Sequence, residues 1–326
     1  MRKPKPVWAG VTLLALIALL LVVYFNAQAL EDWWRLRGYN PPAAIASLAV
    51  QDDMTAYAKH VFYVNHPDLE SSAGQFRSDC GASEKTIILG CYHSDQDGIF
   101  LYDVQDPRLN GVEQVTAAHE MLHAAYDRLS SQDKNYVDNL LLDYYHHDLR
   151  DQRIIDTINT YKQSEPNDVV NEMHSVFGTG IANLPPPLET YYQRYFSNRQ
   201  QVAAYANAYE GEFTSRQDQI QADDAQLAKM KTNINTEESD LRAELSQINS
   251  DRAQLDGLRS SGQIAQYNAS VAGFNSEVDN YNNGVGKLRS DIAAYNQLVG
   301  SRNAVATDLA SLSQALDTRL TPQAAQ

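Results

Sequence analysis

Ala117-Ala118-His119-Glu120-Met121-Leu122-His123-Ala124-Ala125 is the stretch from which the fold and the chemistry of this chain can be read. Its spacing predicts a helix, with Val115, Ala118, Met121, Leu122 and Ala125 falling on one face. Positions four apart on a helix face the same way, so His119 and His123 can offer imidazole nitrogens to one ion. Glu120 lies about 100° around the axis, from where its carboxylate can reach a water on that ion and act as general base. Ala117, Ala118, Met121 and Leu122 surround these groups with small and apolar side chains, as in a buried helix. Burying two histidines and a glutamate without a partner is costly, so one zinc ion is the expected cofactor. A hydrolytic zinc also needs a third protein ligand and an open position for water.

No histidine follows at the offset of the longer HExxHxxGxxH pattern, because Tyr126 and Asp127 come next. Downstream, Asn171-Glu172-Met173-His174-Ser175 is predicted to lie on a second helix. HEMLH followed 49 positions after His123 by a helical Asn-Glu resembles the gluzincin metallopeptidases, particularly their small, minimal members. The resemblance runs roughly from 86 to 177, and HEMLH is its one specific motif. It implies an α+β, mainly α, zincin-like catalytic domain with a small β-sheet, in which His119, His123 and Glu172 hold zinc and Glu120 is the catalytic base. It also implies that Gly98, Ile99, Phe100, Leu101 and Tyr102 form an edge strand along which extended substrate binds. His174 is the rival third ligand, and an offset of two from Glu172 lets only one of the pair point at the metal. Asp127, Asp143, His146 and His147 are further residues of allowed ligand type, although His146-His147 also suits a helix C-terminus. In such enzymes a tyrosine often stabilises the oxyanion, and Tyr191, Tyr192 and Tyr195 follow the site.

Towards the N-terminus, Thr86–Leu89 and Ile99–Tyr102 are rich in branched and aromatic residues and bounded by Gly, Asp and Ser, so both read as strands. Cys80 and Cys91, the only cysteines, flank the first of them and are expected to pair in an oxidising compartment. Between the break at Pro41-Pro42 and Val64 the chain reads as short helices. Val7–Phe25 contains no charged residue and approaches the roughly 20 residues that a membrane-spanning helix needs. Arg2, Lys3 and Lys5 precede it, which predicts a cytoplasmic tail over 1–6, a transmembrane signal-anchor over 7–25 and an extracytoplasmic domain over 26–198. Secretion after cleavage near Ala29 is the alternative, since a signal peptide shows the same order of charge and apolar core.

Towards the C-terminus, Ser131 can cap a helix carrying Val137, Leu140, Leu141 and Tyr144, and another helix is expected over Ile154–Tyr161. Glu165-Pro166-Asn167-Asp168 supplies a break and a cap before a helix from Val169 to Phe177 that ends at Gly178. Pro185–Pro187 cross an irregular segment. From Arg199 the chain becomes long-period helix without proline until Pro322. Tyr267, Val271, Phe274, Val278, Tyr281, Val285, Leu288, Ile292, Tyr295 and Val299 alternate spacings of four and three, a coiled-coil seam. Ile220, Leu227, Met230, Ile234, Leu241, Leu245, Ile248 and Leu255 form a looser seam, and Gly257–Gly262 is the natural tip between the two. An antiparallel coiled-coil hairpin over 199–320 is therefore expected, with a short tail over 321–326.

With 26 basic against 41 acidic residues, the net charge of −15 argues against nucleic acid as a partner. The expected function is a membrane-anchored zinc metallopeptidase acting on a peptide or protein substrate. Two other functions stay open: an envelope adaptor that binds a protein partner through the coiled coil, with a structural or degenerate zinc site, and a hydrolase of cell-wall peptides.

Overall fold

The computed structural model describes residues 7–81, 88–94 and 98–319. The chain is mostly helical, carries one small sheet and forms two compact units, one of residues up to 210 together with 315 onward, the other of residues 211–314.

The first unit is organised around the predicted metal helix, which runs Val112–Asp127 as α6. Gly111 starts it in the left-handed region at φ 108°, and a Cβ there would meet Tyr205 at 3.0 Å, so the entry turn requires glycine. Ala117, Ala118, Met121 and Leu122 are fully buried, as the apolar pattern predicts. Burying a Met or Leu side chain contributes roughly 1.5–3 kcal/mol, so this one turn is a substantial part of the core. Around α6 lie α3 (Ala43–Gln51), α4 (Ala56–Val64), α7 (Ser131–His147), α8 (Gln152–Ser164) and α9 (Val169–Gly180). The cap of α7 is Ser130, whose hydroxyl accepts from the Asp133 amide, one residue earlier than expected. Gly178 does not end α9. It lies inside the helix, where a Cβ would come within 2.5 Å of Leu122 and 2.8 Å of Tyr192, so its missing side chain is what lets α9 press against α6. The three prolines open a helix, α10 (Pro186–Tyr192), because proline at the first helical position gives up no hydrogen bond.

The sheet has three strands, β1 (Asp68–Glu70), β2 (Gly90–His93) and β3 (Gly98–Tyr102), in the order β1-β3-β2. β1 is parallel to β3, and β2 is antiparallel to it with Gly90 opposite Leu101 and His93 opposite Gly98. Two expectations need correcting. Of the strand expected at Thr86–Leu89, Thr86 and Ile87 lie outside the described residues, and pairing begins at Gly90. Gly98, Ile99, Phe100, Leu101 and Tyr102 form the middle strand and not an edge, because the three-residue β1 occupies the side expected to be open. The two edges of the sheet are β1 and β2. Cys80, at the end of α5 (Ala73–Cys80), is disulfide-bonded to Cys91 on β2 and ties that edge strand to the helix.

At the N-terminus α1 spans Val7–Phe25, and every side chain from Leu13 to Phe25 is exposed. Among the described residues no single helix is long and apolar enough to cross a membrane. Leu13–Phe25 and Ala27–Leu36 pass together only as a pair bent by 64°. The bend falls at Asn26, whose side-chain amide donates to the Val22 carbonyl at 2.8 Å. The second helix, α2 (Ala27–Leu36), is docked on the first unit. Buried Asp32 accepts two 2.8 Å hydrogen bonds from Arg128 and pairs with His60 at 2.8 Å, and Arg35 donates to the Val64 carbonyl.

The second unit is a hairpin of α11 (Arg199–Ser260) and α12 (Ile264–Leu316), joined at Ser261–Gln263 by a turn with Gly262 at φ 76°. Arg216 pairs with Asp308, Asp224 with Arg302 and Glu237 with Lys287, a progression only antiparallel helices can make. The predicted seam of α12 is half-buried throughout except at Ile292. Of the four seam-region glycines, Gly284 marks a close approach, since a Cβ there would meet Leu241 at 2.8 Å. The first turns of α11 belong to the first unit, where Arg199, Val202, Ala203 and Ala206 are buried, so the hairpin unit starts later than the composition change at Arg199.

Candidate metal centre

The helical offset of four brings His119 Nε2 and His123 Nε2 to 3.0 Å from each other. α9 crosses at this level and delivers Glu172, whose Oε1 lies 3.5 Å from His123 Nε2 and whose Oε2 lies 3.8 Å from His119 Nε2. These three ligand atoms all fall within 4.8 Å of one another. The sequence pattern thus brings together three of its expected ligands, and the side chain that closes the set comes from a different helix.

Hydrogen bonds around the cluster settle its protonation. Asn171 Oδ1 lies 3.0 Å from His123 Nδ1 and, being an acceptor, places the proton on Nδ1 and the lone pair on Nε2. Asn171 Nδ2 in turn donates to Asp168 Oδ2 at 3.0 Å. Burial, then the neighbouring His123 and His174, hold His119 well below the ordinary histidine range, and burial lowers His123 as well. Burial, followed by the charge of Glu120, pushes the Glu172 carboxyl up to about 9. Burial thus disfavours the charged form of all three groups, which weakens the two histidine–Glu172 contacts as ion pairs. Glu172 Oε2 is buried with no hydrogen-bond partner. Two converging imidazole nitrogens and an orphaned carboxylate oxygen fit a divalent cation, which would make His119, His123 and Glu172 its ligands.

Glu120, the neighbour of the first histidine, lines the same cleft, which has a volume of about 730 Å³ and also includes Asp127, Tyr161 and the β2 residues Gly90, Cys91 and Tyr92. β2 lies directly on the helix: a Cβ at Gly90 would sit 2.5 Å from Thr116 Cγ2 and 2.8 Å from Glu120 Oε1. The strand edge beside the metal group is thus β2, and Gly90 is the residue that lets it approach.

His174 lies on the other side of α9. It is fully buried, hydrogen-bonded through Nε2 to the Tyr191 hydroxyl at 2.9 Å, and burial lowers its pKa to about 3. Tyr191, Tyr192 and Tyr195 pack around it and do not line the cleft, which corrects the expectation of an oxyanion tyrosine among them. Of the tyrosines lining the cleft, Tyr92, Tyr161 and Tyr209, it is Tyr161 on α8 whose hydroxyl faces Glu172. Burial, then the charges of Glu172 and Glu120, raise its pKa. Asp143 and His147 pair with each other on the exposed surface, and His146 is also exposed. Tyr161 and Gly90 carry no sequence signal of their own, and Asn171 entered only as the neighbour of Glu172, since only the crossing of α6, α8, α9 and β2 brings these residues together.

Compared with protein-family models, with curated proteins and with solved structures, the chain matches none.

Proposed function

We propose that this chain is a zinc metallopeptidase of gluzincin type. The observation that carries the reading is the convergence of His119, His123 and Glu172 in one cleft that Glu120 and the β2 residues Gly90, Cys91 and Tyr92 also line. A zinc ion bound there supplies a Lewis acid for the scissile carbonyl and a water acidic enough to be deprotonated near neutral pH. With zinc held by His119, His123 and Glu172, Glu120 would serve as the base that accepts the water's proton and returns it to the leaving amine nitrogen. Asn171 keeps His123 in the tautomer that presents Nε2, and Asp168 holds Asn171. The edge of β2 that pairs with no further strand among the described residues, anchored by the Cys80–Cys91 disulfide, is where an extended peptide can add.

Membrane attachment through α1 belongs to the same proposal. Its exposed apolar side chains, the basic residues before it and a disulfide that needs an oxidising compartment all favour an anchored, extracytoplasmic domain. Because α2 is fastened to the first unit by Asp32, the anchor ends at Phe25, and Trp33 and Trp34, both exposed, sit where interfacial aromatics belong. Hydrolysis of cell-wall peptides uses the same chemistry and differs only in substrate.

The test is purified full-length protein in detergent. It should carry one zinc per chain, and Glu120→Gln should lose about 10²–10⁴-fold in peptide cleavage while keeping the metal, the range a positioned general base supplies. Unimpaired cleavage by metal-free protein, or by Glu120→Gln, would sink the reading and leave the adaptor role of the coiled coil.

A further inference from the structure

The chain leaves the first unit at Glu210 and re-enters it at Ala315. On the way out, Ala206, Tyr209 and Glu210 of α11 line the cleft. On the way back, the Thr318 hydroxyl donates to the Ile88 carbonyl at 3.0 Å, and Ile88 lines the cleft too. The placement of Thr318 is set locally. Asp317 follows the end of α12 and accepts from the Arg319 amide at 3.0 Å and from its guanidinium at 2.8 Å, a turn in which an aspartate bonds the backbone two residues on. Asp317 also feels the charge of Arg77 on α5, the helix that the disulfide ties to β2. Thr318 itself is 1% exposed, so water does not compete for its hydroxyl.

Ile88 leads directly into the strand that borders the metal group. The Leu89 carbonyl accepts from the Tyr102 amide at 2.8 Å, so in this antiparallel pair Leu89, Cys91 and His93 turn their backbone groups towards β3. Gly90 and Tyr92 turn theirs towards the edge that pairs with no further strand among the described residues, and both line the cleft. These are the groups that an added peptide would meet. The far end of β2 is held to α5 through Cys91 and through His93, whose Nε2 lies 2.7 Å from the Asp79 carbonyl. At the near end, the carbonyl just before Leu89 is held by Thr318.

We propose that Thr318 is a positioning residue for substrate: by holding Ile88 it fixes where β2 starts and keeps the backbone groups of Gly90 and Tyr92 presented to an extended peptide. A residue 230 positions away in sequence thus completes the binding edge, and the return of the chain from the hairpin belongs to the substrate site. Thr318 acts through β2, so substrate binding responds more than the chemical step. The inference rests on the metallopeptidase reading for its substrate, but not for the hold on β2.

Zinc-loaded full-length protein tests it with two substitutions. Thr318→Val keeps the shape and removes the hydroxyl, whereas Thr318→Ser keeps the hydroxyl. Thr318→Val should raise KM for an extended peptide about three- to tenfold, the worth of one hydrogen bond, with kcat moving less than about twofold and zinc content unchanged. It should also quicken hydrogen exchange of the Tyr102 amide, which bonds to Leu89, and Thr318→Ser should restore both quantities. Unchanged KM and exchange in Thr318→Val, or losses that Thr318→Ser does not restore, would overturn the assignment. Exchange that follows the hydroxyl in a chain that cleaves no peptide would support the hold on β2 and sink the metallopeptidase reading alone.

Discussion

Asn171 decides which nitrogen of His123 faces the cleft, and its effect on the metal can be measured. Asn171→Ala removes the acceptor at 3.0 Å and should lower zinc affinity about 10–100-fold in competition with a chelator, while a merely structural side chain would leave it unchanged. Glu172 makes a second prediction. Its carboxyl is pushed up to about 9, above the unfolded value, so its contribution to stability is present at low pH and is lost as pH rises towards 9. Above neutrality the buried histidines are already neutral, so metal-free wild type should lose thermal stability between neutral pH and about 9 relative to Glu172→Gln, and zinc should remove the difference. A flat difference across that window contradicts the assignment. At this scale the sequence was legible where one helix sets the geometry: His119, Glu120 and His123 follow from offsets of one and four. Asn171 and Glu172 came from a resemblance, and the contact of Asn171 with His123 and the place of Tyr161 were silent because they arise from helix crossings that no local spacing records.

β2 carries the same lesson among the elements. Helices α6 to α9 were readable from period and caps, with boundaries that moved by a residue or a turn, whereas α5 and α10 were not. The sheet was not: β1 is three residues long, too short for alternation to show, and its presence turns Gly98–Tyr102 from an edge into the centre. Gly90 then becomes the residue that matters. Gly90→Ala would press on Thr116 and Glu120, and should reduce kcat about 10–100-fold at unchanged zinc content, since small displacements of a catalytic group are that costly. Equal activity in Gly90→Ala would mean that β2 does not set the position of Glu120. α2 is held on the first unit by the pair from Arg128 to buried Asp32, with His60 as a third member. Arg128→Ala should destabilise this unit, read from denaturant unfolding, by less than the roughly 3–5 kcal/mol that a buried charge left wholly without a partner costs, because His60 still holds Asp32.

Across the whole molecule, the division into a mixed unit and a helical hairpin was visible in composition, and the strict four-and-three spacing of α12 reappears as its half-buried seam. The boundary was less visible, because α11 runs unbroken from buried turns in the first unit into the hairpin and helical period does not change where packing does. A deletion that separates peptidase from arm must therefore keep residues up to 210 and from 315, with a short linker replacing 211–314. Cleavage of peptides should survive it, whereas loss of zinc on this deletion would show that the hairpin is part of the catalytic fold. The central claim is that one zinc joins two turns of α6 to α9. Diffraction from crystals of the full chain at the zinc absorption edge tests it most directly: the account predicts an anomalous peak within bonding distance of His119 Nε2, His123 Nε2 and the Glu172 carboxylate, and a peak ligated by other residues, or none in zinc-supplemented protein, would contradict it.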